Sequence, residues 1–196
     1  TPAARQAARK RFGLPETAFV LVYAADFSKR KNQAFLVRAM TKLPENVCLL
    51  LPGHGEMLEQ VRNQVREMGL ENRVRLPGFV TNMTGAYHAG DLCVPASRSE
   101  GLPFNLMEAM ACGLPGVASR VKGHEDLIEP GETGLVYDYN DEAAFCQAVT
   151  ALMEDPRTRE RMGRAARQTV LSRYGLEQAA AAYTELMDPT AREAQR

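Results

Sequence analysis

Short apolar, β-branched runs alternate with amphipathic helical patterns along almost the whole chain, and this leaves few folds open. The runs lie at residues 18–24, 47–51, 73–76, 92–95, 115–118 and 134–137. Several are nearly continuous apolar stretches, as strands buried on both faces require. Helical patterns lie at 32–43, 56–68, 83–89, 104–112, 141–154, 156–173 and 176–187. In the fifth of these, Phe145, Val149, Leu152 and Met153 fall at i, i+4, i+7 and i+8, one apolar stripe. The pattern predicts an α/β, Rossmann-like parallel sheet of about six strands with helices on both faces. Residues 1–13 read as a lead-in helix ending at Gly13, 14–174 as the main domain, and 175–196 as a terminal helix.

Composition narrows the function. With 24 basic and 24 acidic residues the net charge is zero, which argues against a general nucleic-acid binder. No apolar run approaches the roughly 20 residues that span a bilayer. The opening Thr1-Pro2-Ala3-Ala4-Arg5 lacks a signal peptide's apolar core. Cys48, Cys93, Cys112 and Cys146 are far apart and read as reduced thiols of a cytoplasmic protein. Three histidines and scattered acids show no metal-ligand spacing, so no metal is expected.

In open α/β sheets, ligands bind at loops after the C-terminal ends of strands. Four such loops here are chemically notable, at 25–31, 52–56, 77–82 and 96–103, and all should share one sheet edge. The first carries Lys29, Arg30 and Lys31 just before a helix, a set suited to a diphosphate or to plain solvation. No G-x-G-x-x-G follows this strand, which weakens a dinucleotide-enzyme reading. The second, with Gly53, His54 and Gly55, either admits a ligand close to the backbone or is a tight turn that needs glycine. The third, with Gly78, Phe79 and Val80, offers backbone for a nucleobase edge and side chains to pack its ring; a surface turn is the bland alternative.

The fourth loop opens the most informative stretch. Glu100 and Glu108 stand eight residues apart around the turn Gly101-Leu102-Pro103 and an apolar helix beginning near Phe104. A fully helical path between the two acids would rise about 12 Å. Residues 101, 104, 105 and 108 share a helical face, so Gly101, Phe104, Asn105 and Glu108 look toward one cleft. A helix start presents unpartnered amides to an anion. Glu108 sits among Leu106, Met107, Ala109, Met110 and Ala111, where an acid tends to have a partner. An extended ligand with a central phosphate and hydroxyls at both ends fits this layout, as a sugar nucleotide does. Downstream, Gly123 in Val121-Lys122-Gly123-His124 either lets amides approach a sugar or belongs to a short helix with a polar start.

Together these residues resemble the C-terminal half of the group 1 (family 4) retaining glycosyltransferases of the two-domain GT-B fold, over about residues 12–187. The E-x7-E element is Glu100 to Glu108, in a form similar to capsular and exopolysaccharide transferases. Lys31-Asn32, Gly53–Gly55, the run L-P-G-F at 76–79 and G-E-T-G-L-V at 131–136 also match. The resemblance implies that Glu108 holds ribose hydroxyls and that Glu100 contacts the donor sugar near the reacting centre. It places diphosphate on Lys31, a nearby arginine and the amides near Leu102 and Phe104, and the base near residues 78–80. Pro103 has no N–H to offer. Many relatives carry the arginine five residues before the lysine, where this chain has Asp26; Arg30 or Lys29 would substitute.

A metal-independent transfer follows, in which cations and helix-start amides stabilise the leaving phosphate. The expected partners are a nucleotide-sugar donor, with uridine diphosphate favoured from the resemblance, and the family's N-terminal acceptor-binding domain, which nothing in the sequence matches. The chain is therefore expected to be inactive alone. The full-length protein is expected in the cytoplasm or at the inner membrane face. The apolar side of 176–187 points to self-association. The rival readings are a non-catalytic sugar-nucleotide binding module, a GT-B-fold sugar-nucleotide epimerase and a purely structural domain. A phosphorylase would need a pyridoxal-binding lysine, for which there is no motif.

Overall fold

The computed structural model describes residues 1–175 and 178. In chain order it holds α1 (Pro2–Arg11), β1 (Phe19–Val22), α2 (Gln33–Ala39), β2 (Val47–Leu50), α3 (Leu58–Glu67), β3 (Val74–Arg75) and α4 (Met83–Ala89). Then follow β4 (Leu92–Cys93), α5 (Phe104–Ala111), β5 (Gly116–Ser119), α6 (Lys122–Glu125), β6 (Gly134–Tyr137), α7 (Glu142–Glu154) and α8 (Pro156–Tyr174). Of the expected terminal helix at 176–187 only Gln178 is among the described residues, and its expected self-association face lies outside them.

All six strands pair in parallel, in the order β3-β2-β1-β4-β5-β6. Parallel neighbours need crossovers, and the intervening helices supply them. Strand side chains alternate between two cores. Phe19, Leu21 and Tyr23 pack with Phe35, Val61 and Phe145, beneath α2, α3 and α7. Val20 and Val22 pack with Tyr87, Leu106 and Ala166, beneath α4, α5 and α8. The stripe predicted for α7 is real: Phe145, Val149 and Leu152 are buried, and Met153 packs partly against the same core.

The lead-in helix is built into this body. Ala8 and Phe12 are buried in the second core. The buried Arg9 donates to the carbonyls of Ala89 and Ala18 and to Asp91 Oδ2 at 2.8 Å. Arg5 takes Asp91 Oδ1 at 2.6 Å, and the Val20 amide donates to Oδ2. Two cations and an amide thus satisfy one half-buried carboxylate, as a charge taken from water requires.

The strand order reverses between β1 and β4, the place at the C-terminal edge where open α/β sheets form a ligand crevice. No helix among the described residues is long and apolar enough to cross a membrane.

Candidate functional site

The loops after β1, β2 and β3 are laced together by their backbones. The Ala25 amide donates to Pro52 O, Phe27 to His54 O, and Gly53 to Gly78 O at 2.8 Å. This lacing explains the two glycines of the second loop. A Cβ on Gly53 would lie 1.9 Å from Ala25 O, and one on Gly55 would lie 2.5 Å from Phe27 O. The glycines are therefore demanded by the close approach of the neighbouring loop. Gly53 still lines a cleft with Ala24, His54, Phe79, Val80 and Glu108, whereas Gly55 does not. Phe79 is 70% exposed, and its ring meets His54 edge-on at 5.7 Å.

Glu108 stands on this cleft wall. It is more exposed than its apolar neighbours imply, and the partner expected for it is Tyr87, whose hydroxyl donates to Oε2 at 3.0 Å. Burial, reinforced by the Glu108 charge, pushes the Tyr87 hydroxyl far up, so it stays a donor. Oε1 of Glu108 carries no hydrogen bond from the described residues. Asn105, one turn earlier, serves mainly to fasten α5: its Nδ2 donates to Ala24 O at 2.8 Å and its Oδ1 caps the Leu106 amide. The amides of Gly101, Leu102, Phe104 and Asn105 have no partner among the described residues. Leu102 and Phe104 are exposed beside them.

Across the crevice, the β1 and β4 loops meet. Lys31 Nζ lies 2.6 Å from Glu100 Oε1, and Arg30 Nη1 lies 2.9 Å from Oε2. The two cations read as suited to a diphosphate are thus both engaged by the acid. Asn32 closes the same seam. It sits in the left-handed region at φ 60°, which asparagine tolerates, and donates to Ala96 O. Arg30 also reaches Asp26 at 3.8 Å, while Lys29 is exposed with no ion pair among the described residues. Asp26 therefore keeps an arginine beside it, reached from Arg30.

Behind Glu100 lie groups that no motif announced. Ser97 Oγ stands 2.6 Å from Oε1 and 2.7 Å from the Tyr23 hydroxyl. Burial alone would raise the Glu100 carboxyl; bonds from Lys31 and Ser97 and the charges of Lys31 and Arg30 outweigh it and hold it below the usual value. A depressed acid stabilises the fold above its unfolded value and loses that contribution as pH falls through the folded one. Between those limits, acidification is expected to lower the urea midpoint more steeply in the unaltered chain than in Glu100→Gln. Parallel slopes would count against the pairing.

Gly123 belongs to α6, so the short-helix reading holds. A Cβ there would meet Gly101 O at 2.6 Å and Glu100 O at 2.8 Å. His124 beside it is fully buried, with Nδ1 2.8 Å from Ser119 O. A carbonyl only accepts, so Nδ1 bears the proton; burial pulls the ring's pKa down and keeps it neutral. Among the described residues, no group of three or more His, Cys, Asp or Glu is placed to hold a metal.

The family model for glycosyl transferases group 1 matches residues 4–169. The chain is 35% identical over 181 residues to a lipopolysaccharide core biosynthesis glycosyltransferase, LpsD, of Rhizobium meliloti, covering 92% of this chain and 52% of that protein. It is 33% identical over 198 residues to the GDP-mannose-dependent phosphatidylinositol monomannoside mannosyltransferase of Mycolicibacterium smegmatis, covering 95% and 52%. Among solved structures, Anabaena HepE in complex with UDP and glucose superposes with a TM-score of 0.87 at 24% identity, over 94% of this chain and 52% of that one. The chain spans about half the length of the curated relatives it matches.

Proposed function

The chain belongs to the group 1 glycosyl transferases, and from that premise we propose that it is the donor-binding half of a retaining glycosyltransferase. It would serve transfer of a sugar from a nucleotide-sugar to a glycan or lipid-linked acceptor. The observation that carries this reading is the meeting of Lys31, Arg30 and Glu100 across the strand-order reversal, on the same edge as the Glu108 cleft. Uridine diphosphate is the first nucleotide to test, since the HepE structure holds it; the mannosyltransferase relative makes GDP the second.

In this reading the base lies against Gly78, Phe79 and Val80, between the laced loops. The unpaired Oε1 of Glu108 accepts from ribose hydroxyls, with Tyr87 fixing the other oxygen. The diphosphate takes Lys31 and Arg30 from Glu100 and adds the unpartnered amides at the start of α5. Those groups stabilise the charge that develops on the leaving phosphate, with no metal assigned a part. Glu100, freed from its cations, faces the donor sugar and favours an oxocarbenium-like carbon electrostatically. Acceptor binding falls to a second domain, so this chain alone transfers no sugar. Within a cell the full protein works in the cytoplasm, at the inner membrane face where its acceptor is lipid-linked.

Calorimetric titration with UDP, GDP and ADP tests the reading. One nucleotide is expected to bind, and Glu108→Ala to weaken it by about tenfold to a hundredfold, the loss of one or two charge-assisted hydrogen bonds. Binding that ignores the Glu108 substitution, or no binding at millimolar ligand, would sink it.

A further inference from the structure

The carboxylate of Glu100 is held by two kinds of group. Lys31 and Arg30 are cations that, in the reading above, pass to the donor's diphosphate. Ser97 is neutral and cannot follow them. Its residue is fully buried, and its carbonyl accepts from Ser119 Oγ at 2.6 Å, which ties it to the end of β5. Its hydroxyl lies between Glu100 Oε1 at 2.6 Å and Tyr23 at 2.7 Å.

The direction of this chain of hydrogen bonds is forced. An ionised carboxylate only accepts, so Ser97 Oγ–H donates to Glu100. With its proton committed, Ser97 Oγ must accept from the Tyr23 hydroxyl. Tyr23 is fully buried at the end of β1, and its hydroxyl has no other partner among the described residues. Burial pushes that hydroxyl far up, so it keeps its proton throughout. A buried phenol without a partner is costly, and phenylalanine would fill the same apolar space. The hydroxyl's work is therefore to orient Ser97.

We propose that Ser97 and Tyr23 are positioning residues for Glu100: a neutral donor chain that keeps the carboxylate ionised and aimed at the donor sugar after Lys31 and Arg30 have turned to the diphosphate. The proposal rests on the donor-site reading for the purpose of the chain, but its geometry stands in the free protein. The charged and titratable groups around Glu100 are Lys31 and Arg30 from the β1 loop, with Asp26 behind Arg30, Tyr23 at the end of β1, and neutral His124 on α6.

The test follows the side-chain carboxyl of Glu100 by carbon-13 NMR across pH, in this chain with and without saturating UDP. The signal is assigned by its loss in Glu100→Gln. Ser97→Ala is expected to raise the Glu100 midpoint by about 1 pH unit, the worth of one hydrogen bond to a charge. Tyr23→Phe should raise it by less, in the same direction, and Ser97→Thr should restore it. With UDP bound, the Ser97→Ala effect should grow, because the cations no longer share the load. Midpoints unmoved by both Ser97→Ala and Tyr23→Phe, with only thermal stability reduced, would overturn the proposal. UDP binding is read separately: its failure strikes the nucleotide-sugar reading, while the free-chain midpoints still decide the positioning role.

Discussion

Glu100→Gln is expected to make this chain bind UDP about tenfold more tightly, although the residue belongs to the proposed catalytic site. In the empty site one carboxylate occupies both Lys31 and Arg30. In the proposed reading a nucleoside diphosphate must displace that carboxylate, and then sits near it as a like charge. UDP carries no sugar, so Glu100 offers it nothing in return. Removing one negative charge several ångströms from another is worth about 1–2 kcal/mol at the effective dielectric of such sites, or roughly tenfold in affinity. The Glu100 side chain is only 6% exposed, so salt screens the effect little. In the two-domain transferase of the proposed reading, the same substitution should lower transfer by about 10³, as loss of a preorganised charge at the reacting centre does. Calorimetry on the chain and donor turnover by the whole protein are the two measurements. Weaker UDP binding by the variant would refute the competition.

Gly53→Ala is expected to be the most damaging single methyl group in the cleft. The added carbon would lie 1.9 Å from Ala25 O, at a φ of 150° that side chains rarely adopt. Relief requires the β1 and β2 loops to part, which breaks the bonds from Ala25 to Pro52 and from Phe27 to His54. A clash with backbone together with a strained dihedral costs about 4 kcal/mol. For a domain of this size that lowers Tm by about 10 °C. Gly78→Ala is the control: its φ is 75°, but nothing lies within 4 Å of the added carbon, so about 1 kcal/mol is expected. Differential scanning calorimetry separates the two, and equal melting points would show that the loops are not locked together.

The sheet was legible because fully buried parallel strands write themselves as apolar runs. All six predicted strands exist; four are trimmed, the run at 18–24 to Phe19–Val22 and that at 92–95 to Leu92–Cys93 among them, while β6 keeps its bounds and β5 lies one residue later, at Gly116–Ser119. Helix ends moved too, with α2 closing at Ala39 rather than at 43. In the candidate site, the charged and glycine-rich loops could be read because their residue types are unusual at strand ends. What could not be read was pairing across the crevice. Nothing in the run Lys29-Arg30-Lys31 says that two of these cations meet an acid some seventy residues later. Tyr23 and Ser97 were missed because a tyrosine ending an apolar strand looks like core, and a serine in a loop looks like solvent. The available signal was the phenol itself, a polar atom in a strand buried on both faces. The partner expected for Glu108 was inferred from its apolar company; that it is Tyr87 follows only from how the fold brings the two side chains together.

The contact beneath Gly123 has a consequence for anyone redesigning such a protein. The α6 backbone touches the carbonyls of Glu100 and Gly101 with no room for a side chain between them. The acid's address is therefore written in main chain, shared by two segments some twenty residues apart. Swapping rim side chains such as Phe79, Leu102 or Phe104 leaves that address alone, so in the proposed donor-site reading these are the positions at which to alter donor choice. Moving the acid itself into another scaffold means transplanting the 97–103 loop and α6 together, as one cassette.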